Sequence, residues 1–341
     1  MRNTLYLLVA VLIIGLQSCE TTPEIITPPA YALVIHGGAG VIKAEYMTAE
    51  MDSSYRVSLA EALDAGKNIL ENGGTSLDAV SVVISILEDN PLFNAGRGAV
   101  FNEQGFIEHD ASIMLGSDRN AGAVGAVRNI KNPILAARLV MEESKHVFLV
   151  REGAEQFAAL KGLQIVDPSW FMVNKQRKKY EQTKSTQPER EFPLGEKHGT
   201  VGAVALDNFG NLAAGTSTGG MHFKQPGRLG DTPVIGAGTY ADNESCAVSA
   251  TGHGEFFIRY AVAHDLVARM KYGGQSLEEA AEQVVMQELV NSDAGGGIIA
   301  IDKVGNICMK FNTPGMFRAS VKAGEEPYIG LYADPKTAKK E

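Results

Sequence analysis

Cysteine is nearly absent. Three residues in 341, Cys19, Cys246 and Cys308, are too few for a disulfide framework, and none stands at a Cys–His spacing that would hold zinc. Cys246 and Cys308 read as small core residues. Tryptophan occurs once, and there is no long basic run. With a net charge of −9, nucleic acid and anionic membrane surfaces are poor main partners. No apolar run reaches the roughly 20 residues that span a bilayer, and no G-x-G-x-x-G follows a strand-like run, so a dinucleotide fold loses its support. At 45% hydrophobic and 21% charged, the chain is neither disordered nor collagenous, and it can bury a substantial core. Glycine runs the other way: 37 of 341 is about 11%, against a usual share of about 7%. That excess needs a structural reason.

Fold reasoning starts after the N-terminus. Arg2 followed by the uncharged apolar run 5–16 reads as a signal peptide over residues 1–18. The run ends at Leu16-Gln17-Ser18-Cys19, which resembles the lipobox of bacterial lipoproteins, where the cysteine carries the lipid. The expectation is export to the cell envelope or periplasm with an anchor at Cys19, and contact with a membrane only through it. Residues 19–30, polar and Pro-bearing, read as a tether.

Beyond the tether, residues 31–36 form a β-rich run that should stop at Gly37-Gly38-Ala39-Gly40. Helical periodicity covers 57–71 and ends at Gly73-Gly74; Thr75 or Ser76 caps a helix reaching about Leu87. A helix at 133–143, a strand at 147–150 and a helix at 153–161 follow. Late in the chain, Ser276 and Glu279 have capping-box spacing ahead of an apolar face over 277–289. Two strand-turn-strand segments, 204–212 and 299–307, share a pattern. Antiparallel hairpins with intervening helices predict an α+β layer sandwich with stacked sheets. Residues 174–197, charged and almost without aliphatics, read as a mobile linker.

That linker delivers the chain to Gly199-Thr200-Val201, where a buried strand begins. A threonine that becomes an N-terminus carries a nucleophilic hydroxyl and, in its own α-amine, a base that titrates near pH 8. Its hydroxyl can liberate that amine by attacking the preceding carbonyl, and a preceding glycine tolerates the strained peptide this requires. Taken alone, a threonine opening a strand is usually only a β-branched strand residue.

The surrounding motifs change this. Thr200-Val201-Gly202-Ala203-Val204-Ala205-Leu206-Asp207, Thr216-Ser217-Thr218-Gly219-Gly220-Met221, Pro226-Gly227-Arg228-Leu229-Gly230-Asp231 and Thr251-Gly252-His253-Gly254-Glu255 together resemble the plant-type asparaginase and isoaspartyl peptidase family of N-terminal nucleophile hydrolases. The likeness extends back through His36-Gly37-Gly38-Ala39-Gly40 and Leu92-Phe93-Asn94-Ala95-Gly96, and forward through Gly296 to Met316.

The resemblance implies an αββα four-layer sandwich, two mainly antiparallel sheets flanked by helices. It implies one domain made of two chains: an α chain, 31–199, whose linker occupies 174–199, and a β chain, 200–341. Cleavage between Gly199 and Thr200 would free the catalytic Thr200. Thr218 would orient it, Asn94 would position precursor and nucleophile, and Thr251 and Gly252 would donate to the oxyanion. Arg228 would hold the substrate α-carboxylate, and Asp231 with the Gly254 carbonyl its α-ammonium. No cofactor is needed for catalysis; a structural sodium ion would sit on main-chain carbonyls of Leu87, Glu88, Asn90, Phe93, Ala95 and Arg97. The mature form would be a dimer of α/β heterodimers.

The implied substrates are L-asparagine and β-aspartyl (isoaspartyl) dipeptides, cleaved through a β-aspartyl ester on Thr200. Two alternatives stay open: a glycosylasparaginase-like amidase, whose members typically have Asp where Gly199 stands, and an unprocessed binding or scaffold lipoprotein. Elsewhere, His36 and His253 read as structural or pocket-lining, and Glu108-His109-Asp110 as a satisfied polar turn in preference to a metal site. Leu115 departs from the acidic residue usual in the family.

Overall fold

The computed structural model describes residues 29–186 and 199–333, so the signal segment, Cys19 and most of the tether lie outside the described residues. The larger sheet is built of β1 (Ala32–Gly40), β2 (His109–Leu115), β3 (Ala121–Val127), β4 (Phe148–Val150), β5 (Val201–Leu206), β6 (Leu212–Thr218), β11 (Gly315–Lys322) and β12 (Tyr328–Tyr332). The smaller holds β7 (Thr239–Ala241), β8 (Cys246–Gly252), β9 (Gly296–Asp302) and β10 (Ile307–Phe311). The strand orders are β12-β11-β1-β5-β6-β2-β3-β4 and β10-β9-β8-β7, antiparallel throughout except for β3 beside β4.

Strand alternation explains the layers. Leu33 and Ile35 of β1 and Ala203 and Ala205 of β5 pack on one side, in one core with apolar residues of α1 (Ala49–Glu71), α2 (Ser76–Asp89), α3 (Pro133–Glu143) and α4 (Arg151–Leu160). Val34, Val204, Leu206 and Ala214 point the other way and meet Ile299 and Ile301 of β9 between the sheets. On the far side of β9, Ile298 and Ala300 pack under α6 (Gly254–Tyr260), α7 (Val262–Lys271) and α8 (Leu277–Ala281). A π-helical turn, Glu282–Glu288, continues α8 into α9 (Leu289–Asn291). Helix, sheet, sheet, helix is the expected four-layer sandwich, and both predicted hairpins are present. The capping box at Ser276 and Glu279 is formed, and Thr75 caps α2.

Three expectations need correction. Helix α1 starts at Ala49 and not near 57, because the Thr48 hydroxyl caps it by accepting from Met51 N–H at 3.2 Å; over 49–56 only Tyr55 is buried, so the apolar face is sparse there. Strand β1 does not stop at Gly37. It runs through Gly40 with a register shift between His36 and Ala39, and the Phe93 ring packs so closely on Gly37 that a Cβ there would lie 2.4 Å from it. The third concerns the linker, whose first half is helix α5 (Asn174–Thr186). Gln176, Tyr180 and Thr183 recur at helical spacing: the Gln176 amide donates to Gly98 O at 2.9 Å, Tyr180 packs on Phe101, and the Thr183 hydroxyl meets His222 Nε2 at 2.9 Å. Aromatic and polar anchors replace the missing aliphatics. Residues 187–198 lie outside the described residues.

At the end of α2, Glu88 is fully buried, its Oε1 accepting from the Ser217 hydroxyl at 2.6 Å and from Ile134 N–H at 3.0 Å. Burial pushes its carboxyl up to about 8. The native state therefore holds this proton more tightly than the unfolded chain, so the associated stability is present below the unfolded value and is lost as pH rises towards 8. Glu88→Gln should raise the melting temperature at pH 8.5 by about 5 °C, with a much smaller gain at pH 5. A calorimetric melt at the two pH values checks this; equal shifts at both would show that Glu88 is not the titrating group.

Candidate active site

The β5–β6 register brings the start of one strand beside the end of the other: Val201 faces Ser217, so Thr200 and Thr218 lie side by side. The Thr200 hydroxyl donates to Thr218 Oγ1 at 3.1 Å, and Gly220 N–H donates to the same oxygen at 3.0 Å. Thr218 is thus fixed as an acceptor aimed at the nucleophile candidate. Behind Thr200, buried His36 meets Thr200 O through Nδ1 at 3.1 Å and Ser249 Oγ through Nε2 at 3.0 Å. A carbonyl can only accept, so Nδ1 carries the proton and Nε2 accepts from Ser249. Burial lowers the imidazole to about 3, and it stays neutral, holding strand to strand as the structural reading expects.

The peptide bond before Thr200 is held as closely. Asn94 N–H donates to Gly199 O at 3.0 Å, the Asn94 amide donates to Gly220 O at 2.7 Å, and its Oδ1 accepts from Val100 N–H. A Cβ on Gly199 would lie 2.7 Å from that of Asn94, which is why glycine precedes the threonine.

Thr200, Thr218, Arg228, Asp231 and Gly252 line one cleft. Gly254 lies against it: a Cβ there would fall 2.8 Å from Arg228 Nη2 and 2.9 Å from Asp231 Oδ1, between the two charges. Thr251 is buried at the end of β8, its Oγ1 accepting from Ala39 N–H at 3.4 Å across the sheets. Asp231 is buried and its Oδ2 has no hydrogen-bond partner among the described residues. Burial pushes the carboxyl up to about 7 against the pull of Arg228. A buried carboxyl with an unpartnered oxygen beside a guanidinium is suited to receiving an ammonium group.

The Glu108-His109-Asp110 expectation does not hold as written. His109 opens β2, all three side chains are buried, and Glu108 pairs with Arg128 at 2.7 Å. This is a buried polar strand start, not a turn, and no cluster among the described residues groups three metal-ligating side chains. Its negative charge is answered by buried Lys224, which donates to Glu108 O at 3.1 Å. His253 is half-buried, accepting from Gly295 N–H. Leu115 packs against the main core at the end of β2.

Sequence reasoning gave no role to Glu255, although it closes a quoted motif. Its carboxylate grips Arg228 at Nε and Nη2, at 3.0 and 2.9 Å. The only signal was its position two residues after His253.

Known proteins resemble this chain over most of its length. Residues 29–331 match the family model described as asparaginase. The isoaspartyl peptidase of Escherichia coli (strain K12) is 48% identical over 311 residues, which is 89% of this chain and 96% of that protein. The isoaspartyl peptidase/L-asparaginase of Bos taurus is 43% identical over 293 residues, 86% and 94% of the two chains. A probable isoaspartyl peptidase/L-asparaginase 2 of Arabidopsis thaliana is 39% identical over 312 residues, covering 84% and 94%. With a threonine at a strand start, its hydroxyl on a second threonine and an Arg/Asp cleft beside it, the chain belongs to the asparaginase and isoaspartyl peptidase family of N-terminal nucleophile hydrolases.

Proposed function

We propose that this protein cleaves itself before Thr200 and then hydrolyses L-asparagine and β-aspartyl dipeptides, releasing L-aspartate. The observation that carries this reading is the Thr200 hydroxyl held on Thr218 Oγ1 while the Gly199 carbonyl accepts from Asn94 N–H. In self-cleavage the Thr200 hydroxyl oxygen adds to the Gly199 carbonyl carbon. The peptide C–N bond then breaks with proton transfer to nitrogen, and an ester and a free α-amine result. Water hydrolyses the ester, leaving an α chain ending at Gly199 and a β chain starting at Thr200.

In turnover the α-amine accepts the hydroxyl proton as Oγ attacks the substrate β-carbonyl, then passes it to the leaving ammonia or amino acid. Thr251 Oγ1 and Gly252 N–H donate to the oxyanion, and water releases aspartate from the ester. Arg228 takes the α-carboxylate, and Asp231 and the Gly254 carbonyl take the α-ammonium, which selects a free amino-acid head. N-terminal sequencing of the smaller fragment and aspartate release from a β-aspartyl dipeptide test the reading. A chain that stays whole and releases no aspartate overturns it.

We propose further that a structural sodium ion sits where α2 ends and the following loop begins. Its donors would be the main-chain carbonyls of Leu87, Glu88, Asn90, Phe93, Ala95 and Arg97, hard oxygens suited to that ion. Two of these carbonyls crowd the loop glycines, lying 2.3 Å (Glu88) and 2.0 Å (Phe93) from where a Cβ on Gly96 and Gly98 would stand. Bound there, the ion would stiffen the loop that carries Asn94.

We further infer export and lipid attachment at Cys19, supported by the apolar run and lipobox-like residues before it. Cys19→Ser should move the protein from the membrane fraction to the soluble fraction of its host, as read by immunoblot; unchanged partitioning would remove the anchor. The mature assembly proposed is a dimer of α/β heterodimers, measurable by light scattering.

A further inference from the structure

We infer that Glu255 is a positioning residue for substrate recognition: it clamps one edge of the Arg228 guanidinium so that the other edge stays open to the substrate α-carboxylate and does not close on Asp231. The inference rests on the hydrolase reading above and names how the same cleft keeps its two charges apart.

Arginine and aspartate three residues apart in a glycine-flanked loop are natural partners for each other. If Arg228 paired with Asp231, the site would be internally neutralised, and a zwitterionic substrate would have to break that pair to bind. The structure avoids this. No hydrogen bond joins Arg228 to Asp231 among the described residues, and Asp231 Oδ2 is unpartnered. Instead Glu255, in the first turn of α6, receives Nε–H and Nη2–H in a parallel fork at 3.0 and 2.9 Å. A guanidinium has five donors on two usable edges, so side-on capture at Nε and Nη2 leaves the Nη1–Nη2 edge for a second carboxylate.

That free edge faces the cleft. Nη1 lies toward Gly230, where a Cβ would be 2.9 Å away, and Gly230 lines the cleft beside Thr200. The Arg228 side chain is 18% exposed and that of Glu255 is 52% exposed, so the anion reaches in from the rim to hold a mostly buried cation. Gly254 completes the arrangement, since a side chain there would occupy the gap between Arg228 and Asp231.

Asp231 feels three charged groups: Arg228 from its own loop, Glu255 from α6 and Asp110 from β2, the two carboxylates pushing its proton affinity up. Removing the Glu255 charge lowers that affinity directly, and releasing Arg228 toward Asp231 lowers it further. Both act in the same direction.

The test is Glu255→Gln in the full chain, repeated with Glu255→Ala, which brings in no amide donors. Complete self-cleavage on a gel serves as the folding control. The variants should raise KM for a β-aspartyl dipeptide about tenfold with kcat within about threefold, the pattern of a lost binding contact. The acid limb of kcat/KM should move to lower pH. L-aspartate, which carries both α-groups, should bind the processed variants about tenfold more weakly by calorimetry, a readout independent of turnover. An unchanged or lowered KM, unchanged aspartate affinity or a stationary acid limb overturns the inference. Failure of the hydrolase reading has a different signature: wild-type protein that releases no aspartate.

Discussion

Thr200→Ala should leave the chain as a single band on a denaturing gel and abolish aspartate release, with a fall in kcat/KM of at least about 10⁴-fold. The size of the effect follows from the geometry. In the proposed mechanism one hydroxyl supplies the nucleophile for both cleavage and turnover, and the α-amine that serves as base is not freed unless cleavage occurs. Thr218, whose Oγ1 accepts the Thr200 proton at 3.1 Å, has no chain terminus beside it and cannot take over. The fold should survive, because the methyl group of Thr200 is small and the strand it opens is held by β1 and β6 on either side. A Thr200→Ala chain that still splits at the same bond would place the nucleophile elsewhere.

Arg228→Ala should be the next largest loss, about 100- to 1000-fold in kcat/KM, on the order of 3–4 kcal/mol in binding the charged head of the substrate. Most of it should appear in KM, since the contact proposed for the guanidinium is with the substrate's non-reacting end. Self-cleavage should be untouched, because Asn94, Gly199, Thr200 and Thr218 make no hydrogen bond to Arg228 among the described residues. Stability should change little, as the displaced partner, Glu255, is half-exposed and regains water. Steady-state kinetics on a β-aspartyl dipeptide together with a gel of the purified variant separate the two functions. A variant that fails to cleave would show that Arg228 shapes the precursor as well.

Legibility differed by the range of the interactions involved. The helix from Ser76, the capping box at Ser276 and the hairpins at 204–212 and 299–307 were readable because each depends on residues within a few positions of one another. Helix α5 was not. Its one anchoring face, Gln176, Tyr180 and Thr183, is polar and aromatic, and its partners at Gly98, Phe101 and His222 are distant in sequence. The extension of β1 through four residues of the glycine-rich turn was equally hidden, since its pairing partner is β11, at the other end of the chain. The Glu108-His109-Asp110 segment looked like a polar turn because its balancing charges, Arg128 and Lys224, come from other elements.

The same division runs through the cleft. Sequence alone identified a threonine preceded by glycine at a strand start, and the motif likeness nominated Thr218, Arg228, Asp231, Thr251 and Gly252 around it, because these are matters of residue type and short spacing. The glycine excess finds part of its reason there too: Gly199, Gly219, Gly220 and Gly254 sit where Asn94, Lys224 or the Arg228 and Asp231 side chains leave no room for a Cβ. Only the tertiary structure decided which charge pairs with which. Arg228 stands three residues from Asp231 yet is forked by Glu255, since a hydrogen bond depends on where the start of α6 places a carboxylate in space, and spacing along the chain carries no such direction.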